Sequence, residues 1–312
     1  MKYAIISDIH GNYPALKIVI EDALKNGAQY FLFVGDYCIS VPWPGEVVDA
    51  IRAMDNAHVV RGNEENYLNI PDGPDAQFDI SRWSKHTLSD VQKKWLNDLP
   101  FRLDFSCEDV DIHMAHSSEV FIGDAENGEF STYKIALRYK DRCISHEEFQ
   151  NDIQHELRQN KELKQQLEGI PSGVYIFGHT HSQWHLQMGN HWFINPGSCG
   201  IPLDCTEFGA PYTLLTVENG MVMLEEQRIK YDVDSLIKKV KSTEQYEKVP
   251  VWSEVIFREW LTGHEKVMFF LKYAEEYAQR IGDERRPFAH GTWEEAFREW
   301  YNTDLKNLAC PK

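Results

Sequence analysis

No CxxC pair or regular spacing links the six cysteines of this chain (Cys38, Cys107, Cys143, Cys199, Cys205 and Cys310), so a disulfide framework is not indicated. Reduced thiols in a cytoplasmic protein, with no disulfide, are the expectation. No basic block interrupts the acidic composition: 49 Asp and Glu against 32 Lys and Arg leave a formal net charge of -17. Long-range attraction to nucleic acid or anionic lipid is therefore disfavoured, whereas a small anionic substrate stays open if metal ions supply positive field at short range. No apolar run approaches membrane-spanning length, and the one at the amino terminus meets Asp8 too early for a signal peptide. Internal repeats and low-complexity tracts are also missing. A globular cytoplasmic protein is expected, and an apolar content of 42% is ample for a core in one large domain or a domain with an appendage.

What is present begins with Tyr3-Ala4-Ile5-Ile6-Ser7-Asp8-Ile9-His10-Gly11-Asn12. The apolar run predicts a buried strand, closed by turn chemistry. Residues two apart on an extended segment point the same way, so Asp8 and His10 are expected to reach one point in space, as a metal grip requires. Near-helical spacing follows from Pro14 to Leu24, with Gly27 as a stop. Two more apolar runs have polar tips: residues 30–34 lead into Gly35-Asp36, and residues 57–60 into Arg61-Gly62-Asn63-Glu64-Glu65. Three such strands imply a parallel β-α-β start with its working face at the strands' carboxyl ends.

Trp83, Leu88, Trp95 and Leu99 then suggest one helical apolar face stopped by Pro100. Residues 110–116 predict a strand with Ile112, Met114 and His116 on one side and His113 on the other. Residues 119–170, charged and mostly helical in pattern, are expected to be an insertion covering one rim. Residues 173–177 run into Gly178-His179-Thr180-His181, and residues 191–194 into the tight turn Asn195-Pro196-Gly197-Ser198. A hairpin is expected about Asn219-Gly220. From about residue 232 the pattern is helical, with Thr292-Trp293-Glu294-Glu295 matching a capping box. The expected division is 1–232, carrying the insertion, and a helical extension over 233–312 packed on it.

The strand tips together offer Asp8, His10, Asp36, Asn63, His116, His179 and His181. Two carboxylates, one amide oxygen and four imidazoles suit two divalent ions such as manganese, iron or zinc, while magnesium or calcium would favour fewer imidazoles. Singly each signal is weak, because Asp or Asn after a strand is usually a turn or cap residue and a lone His is more often packed than ligating. Their joint placement is stronger: five separate apolar strands end in a metal-type donor, which turn formation does not require.

The ordered set Asp8-Ile9-His10-Gly11, Gly35-Asp36, Gly62-Asn63, His116 and Gly178-His179-Thr180-His181 resembles the calcineurin-like metallophosphoesterase family. Arg82-Trp83-Ser84 through Leu99-Pro100, and Asn195-Pro196-Gly197-Ser198, are similar to its prokaryotic branch of small phosphodiesterases and symmetric diadenosine tetraphosphate hydrolase-like proteins. The resemblance covers residues 1 to about 232. It implies an α+β or α/β fold, a four-layer sandwich of two mixed sheets flanked by helices, here with a C-terminal helical extension. It also implies that Asp8, His10 and His181 bind one metal, that Asn63, His116 and His179 bind the other, and that Asp36 bridges them. The implied reaction is hydrolysis of a small phosphorylated substrate, first of all a nucleotide, by a solvent oxygen clamped between two ions about 4 Å apart. Asn12 and Arg61 lie beside ligand positions as candidate phosphate contacts, against the alternatives of a helix cap and a surface cation.

One position departs from the family pattern. Many members carry His after the ligand Asn, where this chain has Glu64 followed by Glu65. Glu64 could act as general acid only if burial or a neighbouring charge raises its pKa; otherwise substrates with good leaving groups are favoured. Two acidic residues at the site's edge would repel highly charged substrates. Two rival readings are a non-catalytic scaffold on the same fold and a nuclease for long nucleic acid, the second opposed by the acidic balance. The insertion is a candidate lid. For the tail's aromatics, packing on the sandwich is the first expectation and a homodimer interface the second.

Overall fold

The computed structural model describes residues 1–123, 130–140 and 142–304. Strand β1 (Lys2–Ile6) is apolar without alternation because both its faces are covered. Ala4 and Ile6 pack against the helix Tyr13–Lys25, while Tyr3 and Ile5 face a core between two sheets. In β2 (Tyr30–Phe33) Phe31 and Phe33 take the helix side and Leu32 the inter-sheet side. β3 (Ala57–Val59) completes the parallel start.

The first sheet also contains β9 (Ala210–Glu218) and β10 (Met221–Ile229), in the order β10-β9-β1-β2-β3. Asn219 and Gly220 form the turn between them with φ of 53° and 73°, the left-handed pair that a tight hairpin needs. The second sheet has the order β4-β5-β6-β8-β7, from β4 (Arg102–Cys107), β5 (Val110–Ala115), β6 (Gly173–Ile176), β7 (Gln183–Met188) and β8 (His191–Pro196). Strands β5, β6 and β8 run parallel, with β4 and β7 antiparallel at the edges. Ile112, Met114, Val174, Ile176 and Ile194 meet Ile5, Leu32, Leu215 and Val217 across the interior. On the outer face of the second sheet, Phe149, Ile153 and Leu157 of the helix His146–Gln159 pack on Phe177, Trp184 and Phe193. The result is the expected sandwich of two mixed sheets flanked by helices.

Several local expectations are corrected. The helix through Trp83 and Trp95 is two helices, Asp79–Thr87 and Asp90–Asp98, because Ser89 and Gln92 form a capping box that starts the second. Thr292 caps nothing: it lies within the helix His290–Asp304 and its hydroxyl bonds Asp283. Edge strands β4 and β7 were not anticipated, since their alternation is short and largely polar. Cys38, Cys107, Cys199 and Cys205 are free, but Cys143 is disulfide-bonded, against the expectation of none; Cys310 lies outside the described residues. So do residues 124–129 and 141 of the expected insertion.

The extension packs on the sandwich. Val233, Leu236, Ile256, Phe257 and Trp260 share a core with Val41, Ile201 and Leu203 from the loops. Trp260 Nε1 donates to Gly200 O at 2.9 Å, and Gln245 Nε2 to Ser40 O at 2.8 Å. Phe270, Phe288, Trp293 and Trp300 form a further cluster among the last helices. No helix among the described residues is long and apolar enough to cross a membrane.

Candidate metal centre

The strand tips continue as a ladder beyond the strands. Asp8 N donates to Gly35 O at 3.1 Å, His10 N to Asp36 O at 3.0 Å and Gly178 N to His116 O at 2.9 Å, while Gly200 N reaches Asp8 O at 3.0 Å. These bonds bring the carboxyl ends of β1, β2, β5 and β6 to one edge of both sheets. Close approach there depends on glycine: a Cβ on Gly62 would stand 2.1 Å from Asp36 Oδ1, and one on Gly178 2.4 Å from Asp8 Oδ2.

Asp8, His10, Asp36, His179 and His181 all have left-handed backbone, with φ of 52°, 53°, 56°, 69° and 52°. The aiming of Asp8 and His10 is therefore not the alternation of an extended segment, as the spacing suggested. β1 has ended at Ile6, and two left-handed residues redirect the side chains. Such backbone costs an L-residue about 1–3 kcal/mol and concentrates where function over-determines it.

Three overlapping groups of donors result: Asp8, His10 and His181; Asp36, His116 and His179; and His10, Asp36 and Glu64. His10 Nε2 lies 3.0 Å from His181 Nε2, and Asp8 Oδ1 lies 3.4 Å from His181 Nε2. Asp36 Oδ2 is 3.1 Å from His116 Nε2, which is itself 3.9 Å from Asp8 Oδ1. Asn63, exposed, lines the cavity above them. Outer hydrogen bonds set the imidazoles: His116 Nδ1 faces Val34 O at 2.7 Å, His181 Nδ1 faces Ile201 O at 2.8 Å, and His10 Nδ1 faces Glu64 Oε2 at 2.9 Å. Each acceptor fixes a proton on Nδ1, so the neutral ring presents a bare Nε2 inward, as a ligating histidine does.

Such a cluster requires positive charge at its centre. Asp8 Oδ1 and His116 Nε2 are buried without a hydrogen-bond partner. Burial pushes the Asp8 carboxyl up to about 6 against the pull of His116. Burial also opposes ionisation of Asp36, but His116 and His10 outweigh it and hold that carboxyl well below the usual range. Burial works against charge on His10 and His116 as well, yet Glu64 raises the first to about 10 and Asp36 the second to about 10. His179 and His181 are lowered by burial and by the neighbouring imidazoles. Divalent cations fit this donor set of two carboxylates and four imidazoles.

Three expectations change. Asn12 is fully buried: its Oδ1 accepts Ala15 N as a helix cap and its Nδ2 donates to Gly200 O, so it does not face the cavity. Arg61 turns away to Asn97, with its guanidinium 5.3 Å from the centre of the Phe101 ring. Glu65 is not at the site's edge. It is 1% exposed and accepts the N–H groups of Asp36, Tyr37 and Gly62. Burial and the Asp36 charge push its carboxyl up to about 7, against those donors. Glu64 does meet the condition set for it, since burial raises its pKa, but His10 occupies the carboxylate.

Sequence reasoning missed the residues behind the donors. Ser198 Oγ donates to Asp8 O at 2.7 Å, and Asn195 Nδ2 donates to Gly178 O and Thr180 Oγ1, each at 2.9 Å. The turn Asn195-Pro196-Gly197-Ser198 was the signal, read only as a turn.

Two mixed sheets with clustered carboxylates and imidazoles at their shared edge define a metal-dependent hydrolase architecture. The model of the calcineurin-like phosphoesterase superfamily domain matches residues 1–220, and the chain belongs to that family. Phosphoesterases of this family use divalent metal ions. Among solved structures, a metallophosphoesterase from Sphaerobacter thermophilus is similar at 19% identity and a TM-score of 0.58, covering 84% of this chain and 100% of its own. A hypothetical protein from Pyrococcus horikoshii OT3 is similar at 19% identity and a TM-score of 0.54, over 80% of this chain and 97% of its own. At that identity the likeness concerns the fold. No curated protein matches the chain.

Proposed function

We propose that this protein is a dinuclear phosphoesterase that hydrolyses a phosphodiester, phosphoanhydride or phosphomonoester of a small molecule. The observation that carries the reading is the gathering of six carboxylate and imidazole donors, all buried or half-buried except the exposed His179, with Asp8 Oδ1 and His116 Nε2 left without hydrogen-bond partners. Asp8, His10 and His181 would hold one divalent ion and Asn63, His116 and His179 the other, with Asp36 shared; the imidazole-rich set suits manganese, iron or zinc. Such ions, when bound, supply Lewis acidity and an activated solvent nucleophile at neutral pH.

The chain's own groups hold and orient. Glu64 keeps the Nδ1 proton of His10, and Val34 O and Ile201 O do the same for His116 and His181. Ile201, Leu203, Ile256 and Met268 give the cavity above the donors an apolar lining. With Glu64 committed to His10, leaving groups that need no protonation are favoured. The diadenosine tetraphosphate hydrolase-like assignment finds less support. Arg82, which suggested it, is buried in pairs with Asp75 and Asp79, and no Lys or Arg is among the described residues lining the cavity. The cytoplasmic reading rests on four free, buried thiols, with Cys143 against it.

The scaffold reading leaves Asp8 Oδ1 and His116 Nε2 buried without purpose, at a desolvation cost of about 1–3 kcal/mol each. Hydrolysis of nitrophenyl phosphodiester and monoester with manganese, measured beside Asp36→Asn and His116→Ala, separates the two. Loss in both variants is expected, and equal residual rates in all three proteins would remove the enzyme assignment.

A further inference from the structure

The cavity over the donors, about 520 Å3 in volume, falls in the range of about 300–1,000 Å3 that small-molecule sites occupy. His10, Asp36, Asn63, His179 and His181 are among its lining residues, so it opens directly on the metal donors. The four oxygens of a phosphoryl group, each about the size of a water at about 30 Å3, leave most of that space unfilled. The rest of the wall is built outside the two sheets. Trp252 and Ile256 stand at i and i+4 of the helix Pro250–Thr262, so one helical face lines the cavity, and Val267 and Met268 continue it.

This wall offers carbon. Ile201 and Leu203, from the loop after β8, join Ile256, Val267 and Met268 with side chains that carry no N–H or O–H. Trp252 has a single donor, Nε1, which it gives to Ser40 Oγ at 3.2 Å, and the carbon of its ring is left for a ligand. Two acids stand in the same wall, but their oxygens are already committed. Lys266 N and Val267 N hold Glu259 Oε1 at 2.8 and 3.0 Å, while Met268 N and Thr132 Oγ1 each reach Glu265 at 2.7 Å. Burial first, and then the Glu265 charge, raises the Glu259 carboxyl well above its usual range, so the hydrogen-bonded pair keeps a proton between its members. They brace the wall and give a ligand no free charge to meet. No Lys or Arg is among the described lining residues, so a second anionic group on a substrate finds no counter-charge here.

We infer that this part of the cavity is the subsite for the organic portion of the substrate, and that this portion is an uncharged apolar group of about aryl size. The inference rests on the phosphoesterase reading above. The substrate class is then a phosphate ester of an apolar alcohol, held by its phosphoryl group at the donors and by carbon contact with Trp252, Ile256 and Met268. Removing a phenyl-sized group from water strengthens binding by about 10- to 100-fold, an advantage that a chain of further phosphates does not have at such a wall.

Calorimetric titration of full-length, manganese-loaded protein with 2-phenylethylphosphonate and with methylphosphonate tests it, since the two share a charged head and differ only in the arm. The aryl compound is expected to bind about tenfold or more tightly than the methyl compound. Ile256→Ala removes carbon from the wall and Met268→Glu sets a charge at its rim, and each is expected to lower that ratio about threefold or more. Thermal unfolding checks that both variants fold; Met268 is 48% exposed, so its substitution carries the test should the buried Ile256 not tolerate truncation. A ratio near one in the wild type, or a ratio unchanged in the folded variants, overturns the subsite and leaves the phosphoesterase reading standing on its nitrophenyl ester assay. The expected ratio without ester hydrolysis keeps the subsite and removes the enzyme. Binding of neither phosphonate overturns the phosphoesterase reading, and the subsite falls with it.

Discussion

The Glu65 carboxylate accepts the backbone N–H of Asp36 at 3.1 Å, while its neighbour Glu64 reaches His10 at 2.9 Å. Two consecutive glutamates therefore do different work. Glu65, through Tyr37 N at 2.7 Å and Gly62 N at 2.9 Å as well, ties the β2 and β3 tips together from beneath. Glu64 faces the donors from above.

Replacing Glu65 by Gln puts an amide N–H₂ where three donors need acceptors. A loss of about 1–3 kcal/mol in unfolding free energy is expected in urea titrations, together with weaker manganese uptake because the Asp36 loop loses its support. Unchanged stability would mean that the three N–H groups find other acceptors.

Divalent ions should stabilise the protein, since the clustered donors exist only in the folded chain. At manganese a hundred times above its Kd the expected gain is about 2.7 kcal/mol, seen as a higher Tm and reversed by chelator. His116→Ala should lose most of that gain while folding normally without metal. An equal Tm rise in wild type and variant would place the ion elsewhere.

Gly178 is held by space rather than by backbone angle. An added Cβ would lie 2.0 Å from Ser7 Oγ and 2.4 Å from Asp8 Oδ2. Gly178→Ala is therefore expected to cost about 2–4 kcal/mol and to displace Asp8, reducing both stability and metal affinity. Denaturant melts with and without manganese measure both effects.

Glu226 sets a pH dependence away from the metal donors. It bonds His146 at 2.7 Å and His185 at 2.9 Å, joining the helix His146–Gln159 to strands β7 and β10. Burial opposes its charge, but the bonds to His146 and His185 bring the carboxyl down to about 2 from an ordinary 4.5. A carboxyl lowered on folding contributes its stability above pH 4.5 and loses it as pH falls from there towards 2. The contribution is about 3 kcal/mol at neutral pH. Urea melts of Glu226→Gln should vary less with pH across that window than those of the wild type; parallel curves would exclude the role.

Local patterning already held the fold class and the donors. Apolar runs ending in Asp8, Asp36, His116 and His179 mark buried strands with polar tips, because burial on both faces and turn chemistry are each properties of a few neighbouring residues. Direction was another matter. The left-handed backbone at Asp8, His10 and Asp36 and the turning of Asn12 and Arg61 away from the cavity depend on what packs against them from far along the chain. The burial of Glu65 depends on the approach of β2 to β3. The same holds for the extension, whose helical period was legible but whose Trp252 and Glu259 line the cavity only because Val41, Ile201 and Leu203 give it a core to dock on. Periodicity specifies which residues share a face, and only long-range packing decides what that face meets.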